Sequence, residues 1–536
     1  MALGAVALAV VMTYPVAFRM DEAGRVDSLD GQWSIWNVAW IAHALTTDPG
    51  GLYDTNIFHP HPGTLAYSEA NVVAGLLAIP AYLATGSAFV AHNSALLLAF
   101  VASFLTMYAL VRHLTGRPAA SIAPAIAFAC CPYVFARIPH ISLQFTAGLP
   151  LALLMLHRFV DRQTPGSAVG LAAALVLQAV AVGYYGIFAG VSVAVGVLFF
   201  AASRKLWRSP RYWALTALAL VLTVVMVLPF LFPYLELQRD TGFGRSLDEA
   251  YRYSADWRAY LASAAWAHRW ILPLIERWNE VLFPGFLLTL GGAVGLGFAL
   301  TGAAGDRYRE LAGFYTVLAA FAVWFSFGPQ AGLYRWLYEA VPLFSLVRAP
   351  VRVAVLVPLC LGVLLAIALT QLLDRLGPRR GRLAAGLVTG VLTLELVEAP
   401  IQWYDAEPPS GAYRVLAELP TGPVVELPFY DAEAGFEWHA PYLVASTRHW
   451  QPLVNGYSDF HPEPFVADAP IINGFPSEEA FERLARREVR YVLVHFERRS
   501  SPDRTDWQRR LAPYRQRVTA VYEGEDAALY ELMPTD

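Results

Sequence analysis

The chain has 536 residues, of which 56% are hydrophobic and only 15% charged, and its mean hydropathy is +0.43. That is too apolar for an ordinary soluble enzyme and fits a polytopic membrane protein. A net charge of -4 and a pI near 6.3 leave no basic excess for nucleic-acid binding, and Cys130, Cys131 and Cys360 lie inside apolar runs that offer neither a disulfide framework nor metal-ligand spacing.

The N-terminal MALGAVALAVVMTYPVAF lacks the basic flank and small-residue cleavage site of a signal peptide and reads as a first transmembrane helix. Further runs long enough to span hydrocarbon fall at about 88–111, 119–135, 141–160, 167–184, 186–203, 211–234, 282–303, 310–328, 351–373 and 383–400, giving about eleven crossings. One shorter stretch, NVVAGLLAIPAYLATG from Asn71 to Gly86, is interrupted by Gly75 and Pro80. The basic loops at 112–117, 157–162, 204–211, 305–310 and 374–382 fall on one side, the cytoplasmic side by the positive-inside tendency, only if 71–86 does not cross. It therefore reads as a re-entrant or juxtamembrane helix. This makes residues 1–400 a transmembrane domain with outer loops at 19–70 and 235–281. Residues 401–536 are richer in charge, with strand-like PVVELPF, RYVLVHF and AALYEL around helical stretches, and read as a small α/β domain on the exocytoplasmic side.

The first outer loop sets Asp27 and Asp30 against Trp33, Trp36 and Trp40, as an amphipathic interfacial helix would. Either acid can cap that helix, and an acid beside a lipid-accessible cleft can also take a proton from an acceptor hydroxyl. Glu69, in LAYSEAN, reads equally as a second acid or as a cap together with Ser68. His59 and His61 fit an ordered proline-rich loop better than a metal site. His140, with Arg137, is placed to contact a phosphate or to cap a helix end. Arg348 and Arg352 stand at the mouth of a transmembrane helix, where guanidinium forks hold lipid phosphate bidentately or snorkel to headgroups. Tyr184 and the stretch TRHWQPLVNGYSDFHPEPF, with His449, Asn455 and Asp459, carry groups that stack on sugars and read hydroxyls, and that also pack loops.

The series Asp30, Trp36, Trp40, His43, then TDP, HPHPGTLAYSEAN and LVRAPVRV resembles a bacterial subgroup of the GT-C superfamily of integral-membrane glycosyltransferases. The resemblance implies an enzyme of the bacterial cytoplasmic membrane that moves a sugar from a polyprenyl-phosphate donor to a lipid, glycan or protein acceptor outside the cytoplasm. Asp30 is then the general base, Glu69 a second acid, Arg348, Arg352 and His140 the donor-phosphate ligands, and Tyr184, His449, Asn455 and Asp459 the acceptor or sugar contacts. The side-by-side acids of many members are absent, because Gly31 follows Asp30; Asp21 and Glu22 are adjacent but follow the first helix too closely for the subgroup spacing, and stand behind Asp30 as an alternative base. A divalent metal is thus an open expectation, with no residue assigned to it. The rival readings are a non-catalytic envelope-assembly scaffold and a lipid or glycan transporter. A transporter shows ionisable groups at the bilayer midplane and a repeat between halves, whereas here the polar groups collect toward one surface.

Overall fold

In the computed structural model all residues are described except Phe243, Arg245, Arg277, Trp278, Ala432, Pro534, Thr535 and Asp536, and the side chains of Pro342, Leu343, Glu433 and Ala434. The fold is a polytopic helical domain with a small α/β region in its C-terminal part. By contact it divides into two compact units, each discontinuous in sequence: Met1–Phe18 with Ala95–Ile401, and Arg19–Ser94 with Gln402–Asp536.

The first unit is built from apolar helices. Each of the eleven apolar runs coincides with a helix, and among the described residues five helical stretches are long and apolar enough to cross a membrane: Ala88–Thr115, Pro118–Phe135, Gly183–Ser203, Pro210–Thr241 and Pro350–Glu395. Shorter helices at Ala2–Met12, Gly148–Arg162, Pro165–Ala181 and Phe286–Leu300, with the 21-residue but more polar helix Asp306–Ser326, account for the other runs. The two spans expected at 351–373 and 383–400 lie in one helical stretch, Leu356–Glu395, broken at Gly377, whose φ of 74° before Pro378 is open to glycine at no steric cost. Close packing uses small residues: a Cβ on Gly295 would overlap the Leu364 carbonyl, so the Phe286–Leu300 helix lies backbone to backbone on the long one. The Pro210–Thr241 helix leaves Leu220, Val221, Val224, Val225 and Met226 more than half exposed, a surface that hydrocarbon solvates and water does not.

Ion pairs join the five basic loops at one end of this unit. Arg204 binds Asp161 at 2.6 Å and Glu310 at 3.0 Å, His113 lies 3.9 Å from Asp161, and Arg117 binds Asp374 at 2.5 Å. All five loops thus share one end, as required if residues 71–86 do not cross.

In the second unit, β1 (Ala23–Gly24) pairs antiparallel with β2 (Tyr404–Asp405). A four-stranded sheet has β3 (Val424–Leu427) parallel to β4 (Tyr491–His495), with β6 (Ala527–Leu532) antiparallel between β4 and β5 (Val518–Glu523). The segment expected as an outer loop of the membrane domain packs here. Phe58 N donates to Asn455 O and His59 N to Leu453 O, and a Cβ on Gly75 would overlap Ile41, so helix Val72–Thr85 sits tightly on helix Leu29–Thr47. The latter corrects the expectation of an interfacial amphipathic helix. Residues Ser34 to Ala42 are buried without interruption, Trp36 Nε1 donates to Asn56 Oδ1 at 3.1 Å and Trp40 Nε1 to Leu52 O at 3.0 Å. It is a core helix of the second unit, and its tryptophans pack protein.

Candidate active site

Helix Leu29–Thr47 begins at Ser28, whose hydroxyl accepts from Gly31 N at 3.3 Å. Neither aspartate is the cap. Asp27 is paired with Arg25 at 3.2 Å, while Asp30 occupies the first helical turn, where the positive end of the helix favours a carboxylate. Asp30 Oδ1 accepts a hydrogen bond from Tyr457 OH at 2.9 Å. Burial, then the charge of Asp30, pushes ionisation of that phenol well above its usual range, so it stays a donor.

The LAYSEAN and NGYSDF stretches also meet, for Ser68 Oγ donates to Asp459 Oδ2 at 3.2 Å and Asp459 is exposed. Glu69 is half-buried beside Ser68. Neither residue is the N-cap of the helix that follows; that position belongs to Asn71, at φ 49°, which donates to Asn37 Oδ1 at 2.9 Å. Asp21 accepts from Ser87 Oγ.

Two expected sugar contacts are absorbed by the fold. Asn455 is fully buried: its Oδ1 accepts from Glu426 N at 2.8 Å, and its Nδ2 donates to Glu426 O and His439 Nδ1, each at 2.9 Å. It ties a loop to β3 as a strand would. His449 Nδ1 accepts from Gln451 N at 3.0 Å, its ring stacks on Tyr413, and burial lowers its pKa to about 4. His43 stacks on Trp450 with centroids 4.5 Å apart and meets Tyr82 OH at 3.2 Å.

In the first unit, at the end opposite the five basic loops, the Arg352 guanidinium lies over the Tyr184 ring, 4.6 Å from its centroid. Two residues singled out on separate grounds are therefore neighbours. Arg348 lies over Tyr253 at 5.3 Å. Tyr133 OH donates to Arg352 O at 3.0 Å and lies 3.0 Å from Tyr185 OH. Arg137, 7% exposed, sits 3.8 Å over the Tyr133 ring and pairs with Glu280 at 2.5 Å. His140 opens the turn Ile141–Gln144, without capping it by its side chain, and is half-buried. Stacking leaves the edges of a guanidinium able to donate, which suits Arg352 and Arg348 to a phosphate.

Tyr457, Tyr253, Tyr133 and Glu280 were not singled out from the sequence. Tyr457 lies inside a stretch that was, but nothing local separates its hydroxyl from those of the other tyrosines. Glu280 is a lone acid in an aromatic loop. As for a metal, no three His, Cys, Asp or Glu side chains converge among the described residues, and Asp30 is engaged by a phenol.

No protein-family model and no curated protein matches the sequence. Solved structures do match. The Archaeoglobus fulgidus oligosaccharyltransferase in complex with zinc and sulfate is 13% identical, with a TM-score of 0.53 over 92% of this chain and 68% of that one. The same enzyme tethered by a disulfide to an acceptor peptide containing the NVT sequon gives 0.51 at the same identity and coverage. ArnT from Cupriavidus metallidurans, in the apo state, is 15% identical over 99% of both chains, with a TM-score of 0.49. At these identities the likeness is one of fold, and the chain has the fold of the Archaeoglobus fulgidus oligosaccharyltransferase.

Proposed function

We propose that the chain is a membrane glycosyltransferase that moves a sugar from a polyprenyl-phosphate donor to a lipid, glycan or protein acceptor on the exocytoplasmic face, with inversion. The observation that carries this reading is the state of Asp30: Ser28 caps its helix in its place, and a phenol that stays protonated orients its carboxylate. The shared fold supports the reaction class, and the gathering of five basic loops at one end of the helical unit supports a multi-pass arrangement with those loops cytoplasmic.

In this mechanism Asp30 accepts the proton of the acceptor as its heteroatom attacks the anomeric carbon. The bond from that carbon to the phosphate oxygen breaks on the opposite side, and polyprenyl phosphate leaves with the electron pair. Arg352 and Arg348 stabilise the charge that develops on the phosphate. Because phosphate is a good leaving group, no second carboxylic acid is needed to protonate it, unlike in a glycosidase. Glu69 and Asp459 are assigned to the acceptor side, with His140 beside the donor phosphate and Tyr184 positioning Arg352.

The test compares membrane lipids and envelope glycans by mass spectrometry in cells carrying the wild-type chain, none, or Asp30→Asn at equal membrane abundance. The expected result is loss of one sugar from an acceptor, with accumulation of its lipid-linked donor, in both the null and the Asp30→Asn cells. A defect in the null cells that Asp30→Asn fully repairs would sink the assignment and favour a scaffold or transporter.

A further inference from the structure

In the second unit, a concavity of about 320 Å³ open to solvent is lined by His61, Asp468, Arg483, Arg486 and Arg487, with Pro60 and Pro464 at its walls. We propose that it is a binding site for a phosphate-type dianion, formed by side chains that have no part in the transfer reaction described above.

The charges do not balance. Asp468, 4% exposed, takes a hydrogen bond on one oxygen from Arg483 Nη1 and on the other from Arg487 Nε, so its single negative charge is shared between two guanidinium groups. Arg487 is held further by the carbonyls of His59 at 3.2 Å and Pro464 at 3.0 Å, which fixes it without neutralising it. Arg486 is exposed, and its Nε reaches only the Glu482 carbonyl, at 3.4 Å. Among the described residues no other carboxylate lines the concavity, so three guanidinium charges face one carboxylate. The excess of two positive charges is what a phosphate monoester or hydrogen phosphate near its second ionisation neutralises.

The carbonyl end of helix Glu478–Arg486 draws cations to its last turn, which accounts for Arg483 and Arg486 without a ligand. It does not account for two further donors. Arg483 Nε and His61 Nε2 are buried and have no hydrogen-bond partner among the described residues, and both belong to side chains that line the same concavity. Native proteins rarely leave such groups unmet, and an oxyanion meets both. Burial, then the nearby Arg487 charge, lowers the pKa of His61, so its ring is neutral without the anion and adds a donor that does not increase the repulsion.

The phosphate can be free or the headgroup of a lipid, and the experiment separates the two. The full chain is reconstituted in phosphatidylcholine nanodiscs and its thermal unfolding midpoint is followed against inorganic phosphate, with sodium chloride at matched ionic strength as reference. A parallel set uses nanodiscs containing phosphatidic acid. Wild type is expected to gain stability saturably with phosphate beyond the chloride reference. Arg486→Gln, at an exposed position that tolerates substitution, should raise the half-saturating concentration about tenfold, the worth of one charge-assisted hydrogen bond. Arg414→Gln, at an exposed position on helix Gly411–Glu418, removes the same charge from the second unit and should leave the response unchanged. If Arg486→Gln weakens only the response to phosphatidic acid, the site stands and its ligand is a lipid headgroup. A wild type that responds to neither probe, or an Arg486→Gln variant that matches it with both, overturns the proposal. Asp30→Asn is expected to bind phosphate as wild type does, so this result and that of the transfer assay are independent.

Discussion

Asp30 and Tyr457 lie 427 positions apart, and the hydrogen bond between them joins a helix start to a loop of the C-terminal segment. A hydrogen bond donated to a carboxylate favours its charged form and fixes its direction, at some loss of basicity. Removing the donor should therefore have two effects that a merely structural contact would not combine. In Tyr457→Phe the rate falls about tenfold or more, the worth of a hydrogen bond to a charged group. The acid limb of the pH profile of kcat/KM also moves to higher pH, because the unsupported carboxylate holds its proton longer. Asp30→Asn sets the floor of that assay, with a loss of about 10²- to 10⁴-fold in kcat, as expected when a general base is removed. A Tyr457→Phe profile of wild-type shape at lower amplitude would reduce the phenol to a packing role. Asp30 stands out in the sequence as a candidate, as an acid soon after the first apolar helix and before paired tryptophans. Its partner does not, because a pairing across the chain leaves no local trace.

At the scale of elements, hydrophobic periodicity and run length located the long apolar helices of the first unit but not the short ones in its outer loops, such as Leu247–Arg252 and Leu333–Ala340, and three of the four strands of the larger sheet lay in apolar runs bounded by turn residues. The fourth, β5, was missed because VTAVYE is half exposed along its length, at the edge of the sheet, and carries no continuous apolar signal. The placement of residues 19–94 was not legible either. Their hydropathy assigns 19–70 to an outer loop of the membrane domain, 71–86 to a re-entrant or juxtamembrane helix and 88 onward to a span, whereas the contacts that hold them, such as Phe58 and His59 to Asn455 and Leu453, are non-local. Close helix packing makes a sharper prediction. On helix Phe286–Leu300, a methyl at Gly295 meets the Leu364 backbone carbonyl, which has no rotamer with which to yield, while a methyl at Gly297 meets open space. Gly295→Ala should destabilise the detergent-solubilised protein by about 1–3 kcal/mol through overpacking. Gly297→Ala should be neutral or up to about 1 kcal/mol stabilising, through helix propensity. Equal thermal midpoints for the two variants would show that the helices are not in that contact.

At the scale of the whole molecule, the two-unit division carries a prediction of its own, because the second unit holds several histidines outside the membrane-length helices whose rings burial keeps neutral. His439 is fully buried; its Nδ1 accepts from Asn455 and its Nε2 lies 3.3 Å from the Tyr430 carbonyl, an arrangement only the neutral ring satisfies. Burial lowers its pKa to about 3, and burial likewise lowers those of His449 and His461 to about 4. Above pH 6.5 these rings are neutral whether the unit is folded or not, and they add nothing to the pH dependence. As pH falls below that value the unfolded chain takes up protons that the folded unit refuses, so stability declines steadily until the folded pKa values are reached. Each tenfold weakening of proton binding by the folded unit costs about 1.4 kcal/mol, so three such rings are enough to unfold a marginally stable unit near pH 4.5. Hydrogen exchange at pH 7 and at pH 4.5, corrected for the intrinsic pH dependence of exchange, should show protection lost from 402–536 and, in the same step, from 19–94. The membrane-length helices between residues 95 and 395 should keep theirs. If 19–94 remained protected while 402–536 opened, the first outer segment would belong energetically to the membrane helices, and the boundary at residue 401 drawn from hydropathy alone would be the better division of the chain.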